Sequence, residues 1–179
     1  MRLSRIFLAA FFVLAALIVT AQVAPAQAPA DGPGGPPVQI KLSEAQVKSY
    51  IASAKDVQAL AEKSQGTAEN DPKIVAEFDA IARKHGFKDS GDYALVASNI
   101  AMIMAGLDPQ TKAFSEPRVV IQREINEITN DKSIPAADKK QILAELNAAL
   151  KTAEPIKNRE NIELVKKYFA ELEQTQPQQ

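Results

Sequence analysis

Apolar residues return every three or four positions from about residue 38 to 174, and no stretch in that span alternates apolar and polar residues convincingly. A period near 3.6 can bury one face of a helix but cannot keep a strand on one side of a sheet, so the pattern predicts an all-α chain. Breaks in it predict about six helices joined by short loops, packed as a compact bundle in one domain over residues 38–174.

The breaks carry their own chemistry. Ser43-Glu44-Ala45-Gln46 fits a capping box, in which the serine hydroxyl and the glutamine side chain each bond the other's backbone N–H. The first helix follows, with Val47, Tyr50, Ile51, Ala54, Val57, Leu60 and Ala61 on one face, and Gly66 as its stop. Asp71-Pro72 predicts the cap and first turn of a second helix with a stripe of Ile74, Phe78, Ile81 and Ala82. It ends Arg83-Lys84-His85-Gly86-Phe87, where basic residues meet the negative helix end and glycine takes the left-handed position. A third helix, 90–105, turns Tyr93, Val96, Ala97, Ile100, Ile103 and Met104 inward. It is the most apolar of the set and is expected to be central. After a loop over 107–116, a fourth helix starts near Pro117 with Val120, Ile121, Ile125 and Ile128. A fifth starts near Pro135 with Ile142, Leu143, Leu146, Ala149 and Leu150. A sixth, 159–173, carries Ile162, Val165, Phe169 and Leu172 at heptad-like spacing.

Ahead of the helices, two arginines, Arg2 and Arg5, precede an unbroken apolar run from Ile6 to Val19, and Ala24-Pro25-Ala26 follows as a small-residue cleavage site. This order is that of a secretory signal peptide, expected over 1–26, with export to the periplasm or the exterior. The apolar run is shorter than the roughly 20 residues of a spanning helix and lacks a basic stop-transfer flank. Residues 27–37 are dense in proline and glycine and read as a disordered linker, and 175–179 as a polar tail. The chain has no cysteine. It is therefore expected to be neither an acylated lipoprotein nor dependent on disulfides, and a domain of this size needs no staple. Removing Arg2 and Arg5 leaves 19 basic residues against 22 acidic, a net charge of −3. That balance gives no electrostatic reason to expect nucleic acid or an anionic membrane as partner.

Chemistry-bearing residues are sparse. His85 is the single histidine, so no multi-ligand zinc, copper or iron site is expected. His85 itself reads as a helix-end residue beside Arg83 and Lys84. Met102 and Met104 read as packing, with Met104 on the core stripe and Met102 off it. Three acidic pairs occur, Asp89 with Asp92, Glu124 with Glu127, and Glu160 with Glu163. Paired carboxylates can do acid–base work, but helix starts and solvated faces attract acid for other reasons. Phe114, in the longest internal loop, reads as an anchor for that loop. No nucleophile elbow, zinc-protease motif, phosphate loop, dinucleotide fingerprint or calcium loop is present, so no catalytic, cofactor-binding or metal residue is assigned and no cofactor is expected.

Leu42-Ser43-Glu44-Ala45-Gln46 resembles the L-T-x-x-Q motif of the Spy/CpxP family of periplasmic helical chaperones and stress sensors. That resemblance implies a helical, protein-binding periplasmic factor, although this chain is mildly acidic where that family is basic on its binding surface. The signal peptide, the Ala/Gln-rich linker, Ile81-Ala82-Arg83-Lys84-His85-Gly86-Phe87 and Ala105-Gly106-Leu107-Asp108-Pro109-Gln110-Thr111-Lys112 together resemble small exported helical proteins of alphaproteobacteria, and imply no particular activity. The expected function is a non-enzymatic periplasmic factor that binds another protein. The alternatives are a carrier holding a small apolar ligand between helices and a carboxylate-based enzyme. The first should leave apolar surface uncovered, the second should enclose a cavity, and the third should hold a perturbed carboxylate in a cleft.

Overall fold

The computed structural model describes residues 38–65 and 71–175. The expected signal peptide, the linker, the Gly66 stop and residues 176–179 of the tail lie outside the described residues. Seven helices are present among the described residues, in the order α1 (Glu44–Lys63), α2 (Pro72–Lys84), α3 (Ser90–Gly106), α4 (Pro117–Asn130), α5 (Ala136–Thr152), α6 (Glu160–Lys167) and α7 (Phe169–Gln174). The sole strand-like pairing among them is an isolated bridge between Leu107 and Phe114. The fold is all-α, as the periodicity requires.

The expected caps are in place. Ser43 Oγ accepts from Gln46 N at 3.2 Å and Gln46 Oε1 from Ser43 N at 2.8 Å, completing the capping box. Asp71 Oδ1 accepts from Lys73 N at 2.8 Å, with Pro72 in the first turn. At the end of α2 the Phe87 N–H donates to Ala82 O at 3.0 Å and the Gly86 N–H to Arg83 O at 3.1 Å, and Gly86 has φ +88°. Those two bonds and the left-handed glycine are a complete Schellman closure. Asp89 caps α3 by accepting from Asp92 N at 2.8 Å.

One expectation needs correcting. The helix read as 159–173 is two helices, broken at Tyr168, whose N–H bonds Val165 O at 3.2 Å in a tightened turn. No proline or glycine marks the spot. The tightened turn is where Tyr168 reaches the Glu44 carboxylate, while Phe169 and Leu172 on either side of the next turn stay buried.

The chain divides into two compact units, residues 38–104 with 158–179, and residues 105–157. In the first, α1 packs on α2, and Val47, Val96, Ile100, Val165 and Leu172 are fully buried. Tyr93 is the hub of an aromatic cluster, with Phe78 and Phe87 both edge-on at 5.1 Å between centroids and Tyr50 tilted at 5.5 Å. Such pairs contribute about 0.5–1.5 kcal/mol each beyond the area they bury. Burial pushes the Tyr93 hydroxyl up to about 12, which keeps it neutral throughout the working pH range.

The second unit is the antiparallel hairpin of α4 and α5. Its turn is fixed by Asp131, whose Oδ1 accepts from Ser133 N at 2.7 Å and Ser133 Oγ at 2.6 Å. Arg118 Nη1 reaches Leu150 O at 3.2 Å across the pair. Ile121, Ile128 and Leu146 form its buried centre. The loop before α4 is closed by Asp108, whose Oδ1 accepts from Gln110 N, Thr111 N and Thr111 Oγ1 at 2.8–3.0 Å. Phe114 pins that loop, lying so close to Gly106 that a Cβ there would stand 2.5 Å from the ring and 2.5 Å from Ser115 O.

Candidate functional site

The residues singled out in the sequence are mostly spent on structure. His85 ends α2, and its Nε2 lies 2.7 Å from Asp56 Oδ2 on α1, an oxygen that Lys84 Nζ also contacts at 2.8 Å. Lys84 first and His85 second hold the Asp56 carboxyl down at about 2. This is a tie between α1 and the end of α2, with the cation of Lys84 beside the negative helix terminus. The Asp89 and Asp92 carboxylates bond the backbone around the start of α3, Asp92 Oδ2 accepting from Lys88 N at 3.1 Å. Glu160 and Glu163 face different lysines, Lys41 at 3.1 Å and Lys166 at 3.0 Å, and form no dyad. Among the described residues no three His, Asp or Glu side chains gather as a metal would require.

Glu124 differs from the rest. It is half-buried on the α4 face that carries Ile121 and Ile128, and burial first, then the charge of Glu127, raises its carboxyl above the usual range. The structure thus moves one member of this pair off the solvated face where the sequence reading had put it.

The two methionines are also the other way round from expectation. Met102 is buried, at 8% exposure, and Met104 is half-buried. The third helix is apolar on most of its circumference, so helical phase alone does not order its faces. Ala61, expected on the core stripe of α1, is exposed, whereas Ser53 is fully buried and donates to Tyr50 O at 2.7 Å.

Two asparagines make the site that sequence reading missed. Asn99 on α3 and Asn161 on α6 are 4% and 2% exposed. Asn99 Oδ1 accepts from Ile40 N at 3.0 Å and its Nδ2 donates to Val38 O at 2.9 Å. Asn161 Oδ1 accepts from Leu42 N at 2.9 Å and its Nδ2 donates to Ile40 O at 2.7 Å. The segment from Val38 to Leu42 therefore has one backbone edge met, residue by alternate residue, by side-chain amides in place of a neighbouring strand. Each amide bonds a carbonyl at i and an N–H at i+2, the pattern a partner strand presents in a parallel ladder. Leu42 is buried at 4% and Val38 is 42% exposed. The signal lay in the alternation Val38-Gln39-Ile40-Lys41-Leu42 and in Asn99 falling between Val96 and Ile103 on an apolar face.

A different surface runs along the hairpin. Around its three buried residues, Ile125, Ile134, Ile142, Leu143, Ala149 and Leu150 are only partly covered, and Val119 on α4 is 57% exposed. Among the described residues no helix is long and apolar enough to cross a membrane. Comparison with family models, with curated proteins and with solved structures finds no match.

Proposed function

We propose that this chain is an exported, non-enzymatic helical protein that acts in the periplasm by binding other proteins, as a chaperone-like or stress-related factor. The observation carrying the reading is the α4–α5 hairpin, whose apolar stripe is far wider than the three residues it buries. Partly covered isoleucine and leucine side chains bind best to another protein's apolar side chains. Apart from the pair Glu124 and Glu127, the polar groups singled out for catalysis are engaged as caps and ties, which favours interaction over chemistry. The L-S-E-A-Q resemblance to the Spy/CpxP family and the secretory leader point the same way.

The test has two readings. Intact mass of the protein recovered from the periplasm should match a chain beginning at or near Gln27. The purified mature protein should slow light-scattering aggregation of a thermally unfolding model client at equimolar ratio, and Ile142→Asp should abolish this while leaving the helical circular dichroism intact. Equal behaviour of the wild type and Ile142→Asp would refute the hairpin reading.

A further inference from the structure

We propose that the Asn99–Asn161 pair is a binding site for an extended segment of another protein carrying apolar side chains at every second position, and that Val38–Leu42 is its intramolecular placeholder. The inference rests on the protein-binding reading above, but on a different surface and a different chemistry. Two buried amides on separate helices, 62 positions apart in the chain, are aligned to read one strand edge through main-chain atoms alone, at four distances of 2.7–3.0 Å. Main-chain bonding of this kind accepts many sequences, while alternate side-chain positions select for apolar residues. The present occupant shows which chemistry fits: Val-Gln-Ile-Lys-Leu alternates in sequence, Leu42 is buried, Ile40 and Gln39 are half-buried, and Val38 and Lys41 are exposed.

The amides also demand an occupant. With the segment lifted away, Asn161 would lose both of these bonds, and Asn99 would keep only its bond to Leu95 O at 2.9 Å. A replacement must restore C=O at i and N–H at i+2 on the same edge, which an extended chain does and a helix or a compact ligand does not. Besides the amide bonds, the burial of Leu42 and the Lys41–Glu160 ion pair hold the placeholder, while the Ser43–Gln46 cap of α1 draws on none of its residues. Its tether gives it an effective concentration in the millimolar range or above, so a competing segment binds weakly until the placeholder is weakened.

The experiment weakens the placeholder in the full mature chain with Ile40→Pro, which removes the N–H that bonds Asn99. The probe is a fluorescein-labelled peptide of sequence Val-Gln-Ile-Lys-Leu, followed by anisotropy. The expected result is saturable binding to Ile40→Pro, at least tenfold tighter than to the wild type. Binding should weaken at least tenfold when Asn161→Ala is added, and again when the peptide carries N-methyl groups on its Ile and Leu amides. No binding to Ile40→Pro, or equal binding of the N-methylated peptide, would overturn the proposal. Should Ile40→Pro lose its helical signal, hydrogen exchange of the wild type decides the matter. Millimolar probe should then speed exchange at the Ile40 and Leu42 amides, and unchanged rates would overturn it. A dimer of the mature chain that Asn161→Ala dissociates would assign the site to a second copy and overturn the assignment to a foreign partner. Probe binding without suppression of client aggregation leaves the asparagine site standing and removes the hairpin reading; the reverse result does the opposite.

Discussion

Gly86 offers a clean separation of backbone strain from steric fit. It sits at φ +88° directly after the last turn of α2, and a Cβ built there would meet only Ser49 Oγ at 3.7 Å, an ordinary contact. Gly86→Ala therefore has space but the wrong conformation. Holding an L-residue in the left-handed region costs roughly 1–2 kcal/mol. Alanine also narrows the unfolded ensemble, which offsets about 0.4–1 kcal/mol of that. The net expectation is a loss of about 1 kcal/mol, equivalent to a fall of roughly 2–4 °C in Tm for a chain of this size. Gly86→Asn should lose less, because asparagine tolerates the left-handed region. Urea melts followed at 222 nm on both variants give the comparison, with slopes checked for equality before midpoints are converted. If α2 ran on through residue 86 as ordinary helix, alanine would instead stabilise by up to about 1 kcal/mol. A raised midpoint for Gly86→Ala would refute both the Schellman closure and the assignment of α2 and α3 as separate helices.

Gly106→Ala tests the opposite limit, since the added Cβ would fall 2.5 Å from the Phe114 ring and from Ser115 O; overpacking of this kind costs about 1–3 kcal/mol, which a thermal melt should register as a lower midpoint despite alanine's better helix propensity. Leu146 is the buried residue that α5 contributes to the hairpin centre, so Leu146→Ala should cost about 2–3 kcal/mol, with hydrogen exchange accelerated across α4 and α5 more than in α1 and α3. Acid should destabilise through Asp56 and Glu44. Lys84 holds Asp56 at about 2, and the Tyr168 hydroxyl, with Lys167 and Lys48, holds Glu44 at about 2. Both groups have folded values below their unfolded ones, so their contribution is complete above about pH 5 and is lost as pH falls towards 2. Urea midpoints measured from pH 7 to pH 2 should show that decline, and Asp56→Asn should flatten part of it; a midpoint independent of pH over that range would contradict the two ties.

Where the fold was legible, short-range chemistry wrote it. Ser43 with Gln46, Asp71 with Pro72, and Arg83 through Phe87 each fix a helix end using neighbours within five residues, and each stands where the sequence placed it. The stripe of Ile162, Val165, Phe169 and Leu172 was legible for the same reason and is buried throughout. What was missed depends on partners far along the chain. A buried asparagine looks in sequence like a solvent-facing one until its partner at residue 38 or 42 is in place. Tyr168, at the break between α6 and α7, meets Glu44, more than a hundred residues earlier. The role of the alternation from Val38 to Leu42 is silent in sequence because an extended segment without a sheet has no sequence neighbour to announce it, and here helices supply the edge. The elevation of Glu124 likewise needed knowledge of what covers α4.

The split of the first unit into residues 38–104 and 158–179 fixes an order of assembly. A chain made from its N-terminus at about 5–20 residues per second completes the 105–157 hairpin before Asn161 exists, so the piece interrupting the unit can close while the unit around it is unfinished. Val38 to Leu42, the first described residues to emerge, wait long for their final bonds: Leu42 meets Asn161 119 positions later. Such distant closures are the slow ones in folding. For several seconds of its synthesis, the chain exposes an alternating Val-Gln-Ile-Lys-Leu segment with half of its receptor still unmade.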